Sequence, residues 1–363
     1  MQYKPNWPEA QERLTALWNH KFIERPCIAV TAPNGIKRPW PKLKKPEDRW
    51  LDPEYIVQSA LATFATTYYG GEAIPSALNM AHWASNTYGA IPHFPAETIW
   101  FEPIKVDWDH PPTFELNWDD PYFHKCMAIH KALLKAAGKD NFMIGGGGGM
   151  SPADMLAFVI GTENVLLAMA DRPEWTRQAI LKLARNVIAL VRRFQEVSKQ
   201  TNDFWYGPAG WMPFWAPEAF VTAQSDVSCM ISAEMYDRFI VPELELSAQA
   251  FNNIWYHLDG QSAFQHLPRL LSLPYMKVIQ FTPEPGTSNG PAHLELYKKI
   301  QAADKIVHIQ LPAENVELLC KALDPGLLMM DTGCQSVREA DELLADAVRW
   351  TRFWFGARAR RLQ

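Results

Sequence analysis

Short apolar runs alternate along the chain with longer stretches of helical periodicity. This is the pattern a parallel α/β fold produces when each buried strand is followed by a helix that packs back on the sheet. Eight runs read as strands: 26–32, 73–79, 142–145, 219–224, 254–257, 276–281, 306–310 and 327–330. Among the last five, helices are announced by residues that cap or open a first turn: Ser232, Ser262, Pro291 and Ser336. Eight strand–loop–helix units predict an α/β fold of the (β/α)8 barrel (TIM barrel) type; a doubly wound open sheet is the other arrangement the same units build. Residues 37–53 and 98–120 read as long insertions over the barrel mouth. No linker separates two folding units, so one domain over 1–363 is expected.

Composition narrows the class. Hydrophobic residues make up 48% of the chain and charged residues 21%, which suits a globular protein with a large core and excludes a disordered one. No apolar run reaches membrane-spanning length. A net charge of -5 without a long basic run gives no electrostatic reason to bind nucleic acid. The first residues lead into a polar helical pattern without the features of a secretory signal, so a cytoplasmic location is expected. Five scattered cysteines argue for free thiols or a metal ligand rather than a disulfide framework. The 15 tryptophans either fill an unusually large core or line an apolar cavity.

Candidate chemistry gathers where strands end. In 255–260, Trp-Tyr-His-Leu-Asp-Gly, extended backbone puts His257 and Asp259 on one side of the strand, because side chains alternate with period two. Glu284 lies just beyond the next strand and Cys334 just beyond the last. His257, Glu284 and Cys334 are therefore candidate zinc ligands, since zinc accepts N, O and S donors tetrahedrally, with Asp259 as a fourth ligand or a supporting partner. The same residues also read as a hydrogen-bonded His–Asp pair and a small buried thiol. Asp226, after the fourth strand, is a candidate general acid/base, with helix capping as its other reading. Glu72 reads as a turn residue or a further acid. The five glycines 145–149 lack the Lys-Ser/Thr ending of a phosphate loop, and close backbone approach, with Ser151 capping the next helix, explains them better. Trp205, Tyr206, Trp211 and Trp215, in an aromatic stretch broken by Gly and Pro, are candidate substrate-binding residues that could stack on a flat or methylated ligand; a hydrophobic plug or a homodimer patch reads as well.

Several segments together resemble the uroporphyrinogen decarboxylase superfamily: Ser151-Pro-Ala-Asp154, Gly161-Thr-Glu163, Arg172-Pro-Glu174, Ser225-Asp226 through Ser232, Phe239 through Glu243, and Tyr256-His-Leu-Asp-Gly260. The likeness runs from about Cys27 onward and is clearest from Gly149. It implies a (β/α)8 barrel. The arginine-rich segment by which true decarboxylases grip their substrate is missing from residues 20–70, so the zinc- and corrinoid-dependent methyltransferase branch is the better match. That branch uses a His-x-Cys pair and a distant Cys: His257 and Cys334 match, and Asp259 stands where the first Cys is expected. Glu284 resembles the glutamate that cobalamin-independent methionine synthase adds to such a site. The function implied is a metal-dependent enzyme moving a methyl group between a corrinoid protein or small donor and a small acceptor, with zinc as cofactor. The alternatives are a non-catalytic corrinoid- or tetrapyrrole-binding barrel and a metal-independent decarboxylase or lyase.

Overall fold

The computed structural model of the protein describes residues 1–146, 151–204 and 212–359, for 353 and 355–359 by backbone alone. It is a mixed α/β fold. The strands in chain order are β1 (Cys27–Pro33), β2 (Thr67–Gly71), β3 (Ser76–Asn79), β4 (Ile91–His93), β5 (Trp100–Glu102), β6 (Met143–Gly146), β7 (Phe220–Ala223), β8 (Asn253–Asp259), β9 (Met276–Thr282), β10 (Ile306–Gln310) and β11 (Leu328–Gly333). Thirteen α-helices lie among the described residues. Among these residues no single helix is long and apolar enough to cross a membrane.

All eight predicted strands form. Six of them run parallel as β1-β11-β10-β9-β8-β7, and β3 pairs in parallel with β6. The second expected strand is shorter than its apolar run, beginning at Ser76. Its place beside β1 is taken by β2, which runs antiparallel and which the sequence did not announce. The cause is a sharp turn at Gly71, whose φ is +53° and where a Cβ would stand 2.0 Å from the Ile28 carbonyl oxygen. Only glycine fits there. The turn delivers Glu72 to the start of β1, where its carboxylate accepts from Ile28 N (2.7 Å), Arg25 (2.6 and 3.1 Å) and Arg13 (2.6 Å). Glu72 is thus a fully buried ion-pair centre rather than a turn residue.

Alternation along the parallel strands sorts their side chains into two cores. Ile254, Tyr256, Leu258, Ile279, Phe281, Val307, Ile309 and Met330 pack against the helix layer. Their neighbours Trp255, Val278, Ile306 and Met329 join a second, inner cluster with Cys27, Ala29, Ala77, Met143 and Phe220, to which all eight predicted strands contribute. Two residues further toward the C-terminal strand ends, on the same inner face, come His257, Gln280, His308 and Asp331. The inner face therefore changes from apolar at the strand starts to polar at the strand ends.

The caps follow the sequence in part. Ser232 Oγ accepts from Met235 N and Ser336 Oγ from Glu339 N, both at 3.2 Å. Ser262 instead lies inside the short 3-10 helix Gln261–His266, whose first N–H is held by Glu284. Ser151 occupies the cap position of the helix Pro152–Ile160 but donates its hydroxyl to Glu243 Oε1 (3.2 Å), while Glu243 Oε2 accepts from Ala153 N (3.1 Å). A carboxylate from another helix does the capping, a long-range pairing that local sequence does not reveal.

Candidate active site

Three of the predicted residues lie at the C-terminal ends of β7 and β8, near enough for the charges of Asp259 and His257 to act on Asp226. His257 and Asp259 lie two apart on β8 and share the inner face. Asp226 follows β7 by three residues. It caps nothing through its side chain, and Gln224 Nε2 donates to its two carboxylate oxygens at 3.3 Å each. Burial raises the Asp226 carboxyl above the usual carboxylate range, the Asp259 charge adds to the rise, and His257 opposes it. An acid with this elevation holds its proton closer to neutral pH than an exposed aspartate does. His257 is oriented from behind: its Nδ1 is hydrogen-bonded to Gln280 Oε1, and Gln280 Nε2 donates to Thr282 Oγ1 at 3.0 Å. In the neutral imidazole this places the proton on Nδ1 and the basic lone pair on Nε2.

Behind this group stand two carboxylates that the sequence did not single out as chemistry. Asp154, in the first turn of the helix Pro152–Ile160, accepts from the backbone N–H groups of Asp226 and Val227, both at 3.0 Å. Burial and then the Asp226 charge push its carboxyl up to about 7, against the pull of those two N–H groups. Glu243 is raised well above the usual range by burial and by Asp154. A third feature is the chain Trp255–His308–Asp331. Trp255 Nε1–H donates to His308 Nδ1 at 3.1 Å, which fixes the imidazole proton on Nε2, and that N–H faces Asp331 Oδ2 at 3.1 Å. The other oxygen, Asp331 Oδ1, finds no hydrogen-bond partner among the described residues. A polar residue at every second position of a buried strand, as in Ile306-Val-His308-Ile-Gln310, was the available signal.

The expected zinc triad does not come together. Among the described residues no three His, Cys, Asp or Glu side chains are grouped so that they could hold a metal ion. Glu284 is exposed and committed to Gln261 N at 2.7 Å, close over Gly260. Gly260 has φ +67°, and a Cβ there would stand 2.8 Å from Glu284 Oε1. Cys334 is buried just past β11, its N–H bonded to the Thr31 carbonyl; burial, with the Glu339 charge, raises its thiol pKa. That environment opposes the thiolate a zinc ligand requires. The donor set His257–Glu284–Cys334, as arranged, does not fit zinc.

No family model and no curated protein matches this sequence. A solved structure does. A methyltransferase from Methanosarcina mazei superposes with a TM-score of 0.61 at 12% identity, over 95% of this chain and 99% of that one. The likeness is one of fold, and it runs nearly end to end.

Of the aromatic residues expected to bind substrate, Trp205, Tyr206 and Trp211 lie outside the described residues. Trp215 is buried in the inner cluster, edge-on to Trp7 at 5.5 Å. Its neighbour Phe214 packs on Trp18 and on Phe220, the first residue of β7. Trp215 therefore packs within the apolar cluster at the strand starts.

Proposed function

We propose that the chain is a methyltransferase-like enzyme, a single uroporphyrinogen decarboxylase-like domain over 1–363 whose eight parallel strands close a (β/α)8 barrel. The inner cluster drawn from all eight strands supports closure, and the near-complete superposition on a methyltransferase supports the reaction class. The observation that carries the reading is the grouping of Asp226, His257 and Asp259 at the C-terminal strand ends, the rim where such barrels do their chemistry.

In this reading the methyl donor is a corrinoid carried by a partner protein or a small methylated molecule, and the acceptor is a small thiol, amine or hydroxyl compound. The acceptor's lone pair takes the methyl group, the donor keeps the electron pair of the bond that breaks, and the acceptor's proton passes to Asp226. His257, oriented by Gln280, and Asp259 set the charge around that proton. General-base help of this kind is worth about 10²–10⁴-fold in rate. The test mixes methylcob(III)alamin, the protein and a panel of such acceptors, following loss of the cobalt–methyl spectrum and the methylated product by NMR. Acceptor-dependent turnover that falls at least about 100-fold in Asp226→Asn is expected. Failure of every acceptor, or equal rates in wild type, Asp226→Asn and His257→Ala, contradicts the reading.

A further inference from the structure

We propose that Asp154 is the positioning residue of this site: from the helix Pro152–Ile160 its carboxylate clamps the backbone of Asp226 and Val227 and so holds the Asp226 side chain toward Asp259 and His257. The proposal deepens the methyltransferase reading in that it assigns Asp154 a task at the same centre.

Three observations carry it. First, β7 is only four residues long and the chain leaves it through Gln224-Ser225-Asp226, so the sheet itself does not fix where Asp226 stands. Asp154 supplies the missing restraint, with one oxygen on each of two successive N–H groups at 3.0 Å. Second, the clamp is anchored. Glu243 accepts from Ser151 Oγ and Ala153 N, pinning the start of the helix that carries Asp154. Third, the charge is out of place for a residue that only braces a loop. Asp154 is 4% exposed, and the groups that set its acidity are Asp226, two backbone N–H groups and Gln224, with no Lys or Arg among them. Of the other two buried acids among the described residues, Glu72 has two arginines, whereas Glu243, like Asp154, has no Lys or Arg among the groups that set its acidity. An asparagine could accept a hydrogen bond from the loop without an uncompensated buried charge. A carboxylate is accounted for by what lies next to it: an acid whose proton affinity a neighbouring negative charge increases.

Cys229 reports on the clamp without any need for turnover. It is the exposed one among the five free cysteines, sits in the 3-10 turn that Asp154 holds, and donates from Sγ to the Asp226 carbonyl at 3.0 Å. Burial and the Asp226 and Asp154 charges raise its thiol pKa, and Ser262 lowers it; Asp259, His257, Glu243 and Tyr256 are further titratable groups around the clamp. Iodoacetamide labelling of Cys229 is measured against pH by mass spectrometry in wild type, Asp154→Asn and Asp154→Ala, with circular dichroism to confirm folding. The proposal predicts a several-fold faster reaction in Asp154→Ala, a smaller effect in Asp154→Asn, which keeps an acceptor, and a labelling profile shifted to lower pH in both. Methyl transfer should fall at least tenfold in Asp154→Ala and recover partly in Asp154→Asn. Wild-type labelling rate and profile in folded Asp154→Ala overturns the proposal, whatever the transfer assay gives. Absence of transfer in wild type alongside the predicted labelling overturns the catalytic reading and leaves the clamp standing. Should Asp154→Ala not fold, Asp154→Ser takes its place with the same expected labelling and the same overturning result.

Discussion

At the scale of single residues, two of the three buried acids among the described residues, Glu72 and Asp154, behave in opposite ways. Glu72 is held ionised, its carboxyl kept low by Arg25 and Arg13 although burial alone would raise it. A depressed carboxyl contributes stability that is present above its ordinary value and lost as pH falls through the folded one. Glu72→Gln strands Arg25 and Arg13 beside a neutral amide and is expected to cost about 3–5 kcal/mol in denaturant unfolding. A loss below about 1 kcal/mol would show that the cluster is not the anchor described. Asp154 runs the other way, with a folded pKa of about 7 against an ordinary 3.8. The unfolded chain ionises first, so folding stability declines as pH rises from about 4 through about 7, by on the order of 4 kcal/mol as an upper limit. In Asp154→Asn that decline should become shallower between pH 5 and 8, the raised carboxyls of Glu243 and Asp226 carrying what remains. A variant that loses stability over this range as steeply as wild type would contradict the assigned elevation. Asp226 and His257 were legible as candidates because each stands just past or within a strand near its C-terminal end. Asp154 was not, because its partners lie more than seventy positions away and only the folded backbone brings them together.

At the scale of elements, the sequence predicted strands better than it predicted how segments meet. All eight apolar runs became strands, since a run buried on both faces carries its own signature. β2 escaped because Thr67-Tyr-Tyr-Gly-Gly follows a helix without a break and owes its pairing to the turn at Gly71. Glu284 was misread for a similar reason. Its position after β9 suits a metal ligand, yet its carboxylate serves as the N-terminal cap of Gln261–His266, drawn close by the bare backbone of Gly260. Gly260→Ala is expected to destabilise the protein by about 1–3 kcal/mol, from left-handed strain together with the clash against Glu284, and Glu284→Ala by about 1 kcal/mol from the lost cap. Chemical denaturation of both variants checks this. A Gly260→Ala protein as stable as wild type would mean that the turn tolerates a Cβ.

At the scale of the whole molecule, the inner face of the parallel strands grades from tryptophan, valine and methionine at the strand starts to histidine, glutamine and aspartate at their ends. Of the two readings of the tryptophans, core filling and pocket lining, Trp7, Trp18, Trp215 and Trp255 take the first: they build the apolar base. In the proposed function that gradient, rather than the expected His–Glu–Cys metal set, points to the strand ends as the site of chemistry. The measurement that bears most directly on the account is the pH dependence of kcat for methyl transfer in wild type and in Asp226→Asn. With Asp226 as the proton acceptor, the wild-type rate climbs with pH along a limb lying above the ordinary aspartate range, because the carboxylate must be ionised to act. Asp226→Asn is predicted to lose that limb and about 10²-fold or more of the rate. A variant that keeps both the limb and the rate would contradict the placement of the active centre at Asp226, His257 and Asp259.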